Sequence, residues 1–597
     1  MSPRWWNPDG VQVYLAEGVR RAVREAGCDV PVVTAGKIRT PELAEEILDQ
    51  GKADIIGMAR ALLADPDWPM KARDGRADEI VKCAACGYCS EADERYETVT
   101  CIEWPKGTLN APSPWLLVPP CKGACPAGLD IRSYVDLAAQ GQYEKALSVI
   151  EEKVPLPATV GRVCPHPCEA KCNRIDLDES IAINGLKRFI VGAVATRRGR
   201  KKVNPPARTK EEKVAIIGAG PAGLTAAFNL ARFGYGVTIF EALSVPGGML
   251  KVGIPEYRLP RDVVSREIED IEKSGVEIRL NSPVGKNGLA IDGVWQQGYK
   301  AIFIATGAHK SLKLNLSGEE EMEGVYPGTT FLRNINLGKS IALGAKVAII
   351  GGANVAMDTA RTVRRLGTKE VFIVYRRSKE EMPAYREEVE AAEAEGIKIY
   401  YLAAPSKIIG KDGKVVGLEC IRTELGEPDE SGRRRPIPMK GSEFIMAADT
   451  IISAIGEVPD LSFLDTKKFN ITSKKTINVH PYSLVTNVGG IFAGGDVVSG
   501  PATVIEAIAS GRKAAISMDE YLRGRGLEYE EQAPSTINTE DVDMNRFNKR
   551  ERQKMPMLPV GERTQDFREV ELGFTELAAL SEADRCFQCG LFPKKDK

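Results

Sequence analysis

The sequence predicts an α/β protein built on two Rossmann-like nucleotide-binding folds, and three observations support this. From about residue 212 to 525, strand-like apolar runs alternate with helix-like segments, as in doubly wound sheets. The run Val214-Ala215-Ile216-Ile217-Gly218 returns as Val347-Ala348-Ile349-Ile350-Gly351. Each copy leads into a glycine-containing turn and then a helix, the local order that dinucleotide binding requires.

The totals set the frame. A chain of 597 residues has room for about three to five domains. With 81 Lys and Arg against 82 Asp and Glu, the formal net charge is −1, so neither nucleic acid nor a membrane surface is an expected partner. No apolar run reaches the roughly 18 residues of a membrane span, and Met1 to Trp6 holds no apolar signal core, so a cytoplasmic location is expected. Disulfides are rare there, and 13 cysteines therefore point to metal or redox sites. Three histidines (His166, His309 and His480) leave little room for a histidine-rich metal site.

In chain order, residues 1–82 read as two strand–helix units. Pro31 to Ala35 and Ala53 to Met58 are strand-like, and Pro41 to Gln50 is helical in pattern. Cysteines dominate 83–101, and a proline-rich link from Ala111 to Pro120 follows. Residues 121–195 have helical periodicity broken by cysteine groups. A basic link at about 196–212 precedes the first repeat copy. The tail from 526 is polar and carries Cys586 and Cys589 near its end.

The first copy continues as Gly218-Ala219-Gly220-Pro221-Ala222-Gly223, with Glu241 after the next strand, 23 residues beyond Gly218. Gly218 permits the tight turn, Gly220 lets backbone approach a pyrophosphate, Gly223 lets helix pack on strand, and Glu241 suits ribose hydroxyls. The second copy reads Gly351-Gly352-Ala353-Asn354, with Ala353 where the middle glycine belongs. Its next strand ends in Arg376 and Arg377 instead of an acid. Guanidinium forks match a 2′-phosphate, so NADPH is preferred over NADH.

Cys83, Cys86 and Cys89 follow one another at C-x-x-C spacing, with Cys101 beyond; four thiolates suit one [4Fe–4S] cluster, with structural zinc as the rival. Cys28 and Cys420 stand alone and read as buried apolar side chains.

The strand before Ala305-Thr306-Gly307, its match at Thr450 to Gly456, and Gly490 to Asp496 come in an order that resembles the two-dinucleotide-binding-domain flavoproteins. That resemblance implies an FAD domain with the NAD(P)H domain inserted, and Asp496 at the FAD ribityl–phosphate region. The stretch Gly247-Gly248 through Gly253, Pro255, Arg258 and Pro260 resembles the glutamate synthase small (beta) subunit branch. Its relatives are the N-terminal half of dihydropyrimidine dehydrogenase and ferredoxin-dependent transhydrogenase subunits. The resemblance covers about residues 120–525 and implies that Gly248 and Arg258 lie beside the flavin.

Cys121, Cys125, Cys164, Cys168 and Cys172 resemble the helical two-cluster domain of dihydropyrimidine dehydrogenase. Its C-x-x-C before Cys121 is missing here. Cys586 and Cys589 have the local look of that missing pair, so the tail is expected to fold back and bring them to Cys121 and Cys172 on one cluster, with zinc binding or free thiols as the alternative, while Cys125, Cys164 and Cys168 hold another. Relatives fill the remaining place with Gln or Glu. Here the matching stretch offers Lys187 and Arg188, and the fourth ligand stays open. Thr34 to Ile38 and Ile56 to Pro66 resemble the last two units of old-yellow-enzyme-type barrels, whose matching loops hold FMN and whose cluster follows. Two strands cannot close a barrel. Either a partner chain completes it or it is a remnant, and FMN binding by Lys37 and Arg60 is not expected.

These readings divide the chain into a truncated barrel-like fragment (1–82), a [4Fe–4S] segment and linker (83–120), and a helical two-cluster domain (121–205). They continue with an FAD domain (206–330 and 450–525), an NAD(P)H domain (331–449) and a cysteine-bearing tail (526–597). The expected protein is an electron-transfer oxidoreductase subunit with FAD, NADP(H) and three [4Fe–4S] clusters, hetero-oligomeric with a partner redox subunit or ferredoxin. The expected cofactor residues are Gly218, Gly220, Pro221, Ala222, Gly223, Glu241, Gly248, Arg258 and Asp496 for FAD, and Gly352, Asn354, Arg376 and Arg377 for NADPH. No catalytic acid, base or nucleophile is expected. The alternatives are an ene-reductase of the dienoyl-CoA reductase type and a glutamate synthase small subunit proper.

Overall fold

The computed structural model describes residues 8–85, 89, 99, 101, 103–104, 118–198, 205–285, 288–524 and 536–589. The chain divides between residues 116 and 117 into two compact units.

The first unit runs α1 (Val13–Glu25), β1 (Val33–Thr34), α2 (Pro41–Asp49), β2 (Ile55–Ile56), α3 (Arg60–Ala64) and α4 (Trp68–Arg73). Thr40 caps α2 by accepting from Leu43 N–H, with Pro41 at the first helical position. The two strands pair in parallel. Asp54 fixes them, taking the Val32 N–H and the Arg20 Nε–H at 2.9 Å each. Val33 and Ile55 face each other in register yet are 56% and 47% exposed, although parallel strands are normally covered on both faces. Cys28 is exposed in the turn after α1, which corrects the expectation of a buried thiol.

The second unit opens with helices α5 (Pro120–Gly123), α6 (Ile131–Ala139), α7 (Tyr143–Glu151), α8 (Pro157–Val163), α9 (Pro167–Ala170) and α10 (Ile183–Arg198). They close over fully buried Tyr134, Tyr143, Ile150, Leu156 and Leu186. The next elements are β3 (Lys213–Ile217), α11 (Pro221–Arg232), β4 (Gly236–Phe240), α12 (Met249–Val252), α13 (Arg261–Lys273), β5 (Val276–Arg279), α14 (Ile291–Gln296) and β6 (Tyr299–Ile304). With the late strand β18 (Ile491–Ala493) they form one parallel sheet in the order β18-β6-β3-β4-β5.

The chain leaves this sheet through β7 (Lys310–Ser311) and enters a second one with β8 (Val325–Pro327), α15 (Gly328–Asn336), β9 (Lys346–Ile350), α16 (Asn354–Arg365), β10 (Glu370–Tyr375), α17 (Arg386–Ala394) and β11 (Lys398–Tyr401). An antiparallel group of β12 (Ala403–Lys411), β13 (Lys414–Pro428), β14 (Arg434–Pro438) and β15 (Phe444–Ala447) follows, then β16 (Thr450–Ser453). The second sheet is parallel, in the order β11-β10-β9-β16-β8. The chain returns through β17 (Glu457–Val458), paired antiparallel with β7, to β18 (Ile491–Ala493), α18 (Asp496–Ser499) and α19 (Val504–Leu522). β8 and β16 therefore belong to the inserted fold, which moves the expected boundaries at 330 and 450. Their hydrogen bonds go to each other and to β9.

The tail carries α20 (Val560–Arg563) and α21 (Glu576–Ala583) and lies on the helical domain. Its polar residues find distant partners. Glu582 takes the Ala182 N–H at 2.7 Å, Glu569 pairs with Arg162 and Arg188, and Tyr143 donates to Glu576 at 2.9 Å.

Two buried carboxylates weld the parts together. Glu267 on α13 accepts from the Ala158 and Thr159 N–H groups and the Thr159 hydroxyl, capping the first turn of α8 across a domain boundary. Burial pushes its carboxyl up to about 7, against the lowering by these donors. Glu395, fully enclosed, pairs with Arg361 at 2.9 Å, Arg365 at 2.6 Å and Arg563 of the tail at 3.2 Å. The Tyr257 ring lies under Arg361 and Arg365. Glu395→Ala would strand these guanidiniums, and unfolding in urea is expected to show a loss of about 3–5 kcal/mol. An unchanged midpoint would mean that water already solvates them.

Candidate cofactor sites and cysteine centres

The flavin-type site is assembled from four separated segments. Gly218 has φ +105°, and a Cβ there would stand 2.5 Å from the Ala305 carbonyl oxygen. A Cβ on Gly223 would stand 2.0 Å from the Gly218 oxygen. Turn, helix α11 and strand β6 are thus in backbone contact. Gly220 differs, since a Cβ there would meet nothing within 4 Å. The space before the α11 N-terminus is open, with Pro221 at the first helical position where its missing N–H is not needed. Gly248 approaches the same place, its Cβ direction ending 2.9 Å from the Gly220 Cα. Gly495 backs onto the Ala222 methyl.

Glu241 is 6% exposed and takes the N–H groups of Ala219 and Leu243 at 2.8 Å each. It thereby fixes the glycine turn, and a carboxylate accepting two N–H groups keeps lone pairs for further donors. Burial raises its pKa. Asp496 opens α18, and burial pushes its carboxyl up to about 7, with Glu506 and Glu457 adding to the rise. Glu457 is raised to about 7 by burial alone. An open cradle before helical amides, with an acid at ribose distance along the sequence, fits FAD.

In the inserted fold, Ala353 caps α16 in extended conformation without a side-chain bond. A Cβ on Gly352 would run into the Tyr375 ring. The Asn354 carboxamide oxygen accepts from Tyr385 N–H at 2.9 Å, so this side chain holds the 384–385 loop. Arg377 is not available to a phosphate. It is 3% exposed, ion-paired with Asp429, and its Nε donates to the Arg434 carbonyl at 2.8 Å. Arg376 is exposed, with Arg433 of the β13–β14 turn in electrostatic reach. Arg258 is likewise engaged, pairing with Asp358 at 2.7 Å and Glu388 at 2.8 Å. It joins the two nucleotide folds through these two acids. The partners of Arg258 and Arg377 are remote acids on other elements, and nothing in the local motifs announces them.

Seven cysteines of the second unit fall into two groups. Cys121, Cys172, Cys586 and Cys589 line one small cavity of about 30 Å³, along with Arg132 and Asn173. Gln588 N–H points at the Cys586 sulfur at 3.5 Å, and the Asn173 amide at Cys589 at 3.8 Å. Burial and the neighbouring thiols raise the Cys586 pKa to about 12 and the Cys589 pKa to about 11, and raise that of Cys121 further. Cys125, Cys164 and Cys168 form the other group through mutual electrostatic contact, with the His166 N–H on the Cys164 sulfur at 3.4 Å. Lys187 is within electrostatic range of Cys125 and Cys168. Among the described residues no set of three or more His, Cys, Asp or Glu side chains is drawn in as a metal centre. The donor chemistry nevertheless fits iron–sulfur clusters, since crowded buried thiols that resist losing protons are satisfied by a cationic core. In the first unit Cys83 is buried, Cys89 and Cys101 are half-buried, and Cys86 lies outside the described residues. Cys420 is fully buried against the Met446 sulfur, as an apolar side chain should be.

Residues 212–511 match the pyridine nucleotide-disulphide oxidoreductase family, which is half of the chain. The chain belongs to that family. This oxidoreductase also matches dihydropyrimidine dehydrogenase domain II, 4Fe-4S cluster, over 117–198, and the NADH:flavin oxidoreductase / NADH oxidase family over 2–79. It is 46% identical over 500 residues to the NADP(+)-dependent formate dehydrogenase subunit beta of Moorella thermoacetica, covering 79% of this chain and 70% of that protein. It is 38% identical over 510 residues to the NADPH-Fe(3+) oxidoreductase subunit beta of Geobacter sulfurreducens, covering 79% and 75%. To the glutamate synthase [NADPH] small chain of Escherichia coli it is 35% identical over 422 residues, covering 68% and 89%. It is an NAD(P)H-dependent oxidoreductase that uses FAD and iron–sulfur chemistry.

Because the Gly220 position is open, Gly220→Val of this oxidoreductase is expected to fold yet purify with FAD reduced at least about tenfold, the fingerprint needing backbone approach there. Full flavin content in a folded variant would place the pyrophosphate elsewhere.

Proposed function

We propose that this oxidoreductase is the NADPH-linked electron-transfer subunit of a larger redox complex, holding one FAD and three [4Fe–4S] clusters. The observation that carries the reading is the meeting of Cys121 and Cys172 with Cys586 and Cys589, more than 400 residues apart in sequence, at one cavity. A long tail held by many distant polar bonds to bring two thiols to two others is readily explained by a shared cluster. Cys121, Cys172, Cys586 and Cys589 hold that cluster, and Cys125, Cys164 and Cys168 hold its neighbour. Cys83, Cys86, Cys89 and Cys101 hold a third, from which a partner redox subunit or a ferredoxin exchanges electrons. Two relatives are named as beta subunits, of a formate dehydrogenase and of an NADPH-Fe(3+) oxidoreductase, which supports a hetero-oligomer.

FAD, when bound, supplies the change from two-electron exchange with nicotinamide to single-electron transfer. The chain's own part is to hold and orient. Gly218, Gly220, Pro221, Ala222, Gly223 and Gly248 form the pyrophosphate cradle, Glu241 accepts from ribose, and Asp496 faces the ribityl–phosphate region. Arg376 reads the 2′-phosphate of NADPH, while Arg377 braces the strand end from behind. Lys37, 5% exposed and paired with Asp9 at 3.5 Å, is committed within the first unit, which supports a chain without FMN.

Two measurements test this. Anaerobic analysis is expected to find about twelve irons and one FAD per chain, and about four fewer irons with FAD kept in Cys586→Ser/Cys589→Ser. Iron unchanged by the double substitution, or stoichiometric zinc, would sink the shared-cluster reading. Steady-state kinetics of Arg376→Ala should raise KM for NADPH by about 10–100-fold, the worth of one charge-assisted phosphate contact, and leave KM for NADH alone. Equal effects on both nucleotides would remove Arg376 from the phosphate.

A further inference from the structure

Lys187 is 3% exposed, on the first half of α10. Its turn of helix is held hard against the cysteine-bearing segment. Asn184 N–H donates to the Glu169 carboxylate at 2.8 Å, and its side-chain amide donates to the Gly161 carbonyl at 3.1 Å. A Cβ on Gly161 would stand 3.0 Å from the Arg188 Cα. The stretch from 161 to 169 contains Cys164 and Cys168, so residues 184–188 run alongside both. The Lys187 ammonium is within electrostatic range of the Cys125 and Cys168 thiols, and the buried Glu169 carboxylate, which is also in range of Cys168, is paired with Arg552. Among the described residues it makes no hydrogen bond and no ion pair with a carboxylate.

The other buried cations of this unit are treated differently. Arg174 pairs with Asp178, Arg188 with Glu569 and Glu571, and Arg585 with Asp178 and Glu582. A buried charge without a partner is strongly disfavoured, so an unpaired ammonium facing thiols implies an anion at that place. Three thiolates on a [4Fe–4S] core carry net negative charge, and reduction adds another. At the Cys121/Cys172/Cys586/Cys589 cavity the nearby Arg174 and Arg585 already have Asp178 as counter-ion, and Arg132 donates to the Cys589 carbonyl at 3.1 Å.

We propose that Lys187 is the counter-charge of the cluster held by Cys125, Cys164 and Cys168, and keeps that cluster's reduction potential above its value without the lysine. A fixed positive charge favours the reduced, more negative cluster over the oxidised one. Lys187 is a positioning residue here, off the iron. The inference rests on the reading of these cysteines as iron–sulfur ligands.

The test is an anaerobic redox titration of the full chain followed by electron paramagnetic resonance, with Lys187→Met and Lys187→Arg beside wild type. In Lys187→Met the midpoint of one cluster is expected to fall by at least 59 mV, a tenfold change for one electron. Lys187→Arg should stay close to wild type, and iron, FAD and the other midpoints should not move. An unchanged midpoint in Lys187→Met with full iron overturns the proposal. Loss of one or four irons overturns it differently, by making the amine a ligand. Should wild type itself carry no iron bound by the 117–198 region, the iron–sulfur reading fails first, and the two failures are distinct.

Discussion

The Asp178 carboxylate is the contact on which the second unit most depends. It takes the guanidinium of Arg174 at 2.7 Å and that of Arg585 at 2.9 Å, together with the backbone N–H groups of Arg550 and Glu179. Burial alone would raise its pKa, but Arg174 and the two amides outweigh it and hold the carboxyl well below the usual range. Arg174 in turn donates to the Arg585 and Asn548 carbonyls. One acid thus ties the tail down at three points, the last beside Cys586. Without it, two buried guanidiniums would face each other with too little negative charge between them. The cavity shared by four cysteines exists because this knot holds.

A second knot sets the relation between the nucleotide folds. Arg258 follows α12 in the first fold, and its partners Asp358 and Glu388 stand on α16 and α17 of the second. Glu388 also takes Arg361, which meets Glu395, and Glu395 takes Arg563 from the tail. Three parts of the unit therefore share one enclosed set of charges. The insertion is joined to its host by only two chain crossings, β7 and β17, so side-chain charge rather than backbone fixes its orientation. Arg361 and Arg365 stack on Tyr257, which adds shape to what charge alone would leave loosely aimed.

Much of this was legible in the sequence, for a definite reason. The glycine fingerprint, the repeated apolar pentapeptide and the cysteine spacings are local patterns whose meaning does not depend on distant residues. The parallel sheets and the inserted order follow from them. The boundary at 450 was misplaced because Thr450 to Ser453 is as apolar as a host strand, and only its pairing with β8 and β9 assigns it. Arg258 and Arg377 look like ligand-binding arginines until Asp358, Glu388 and Asp429 are brought to them from other elements. Cys28 looks like any lone helix cysteine, and its exposure follows from lying past the end of α1. Glu267, which caps a helix in another domain, sits in an ordinary amphipathic pattern.

The two cysteine groups are neighbours by covalent necessity. Cys121 lies in α5 and Cys125 two residues past its end, and in the same way Cys168 lies in α9 and Cys172 two residues past its end. In each pair one member faces the cavity shared with the tail, while the other belongs to the group facing Lys187. Two such pairs, each split between the same two groups, tie those groups together through short stretches of chain at both edges. Close spacing of the two groups is thereby written into the chain twice, while the cations beside them differ: Arg174 and Arg585, paired with Asp178, stand with Arg132 at one, and Lys187 at the other.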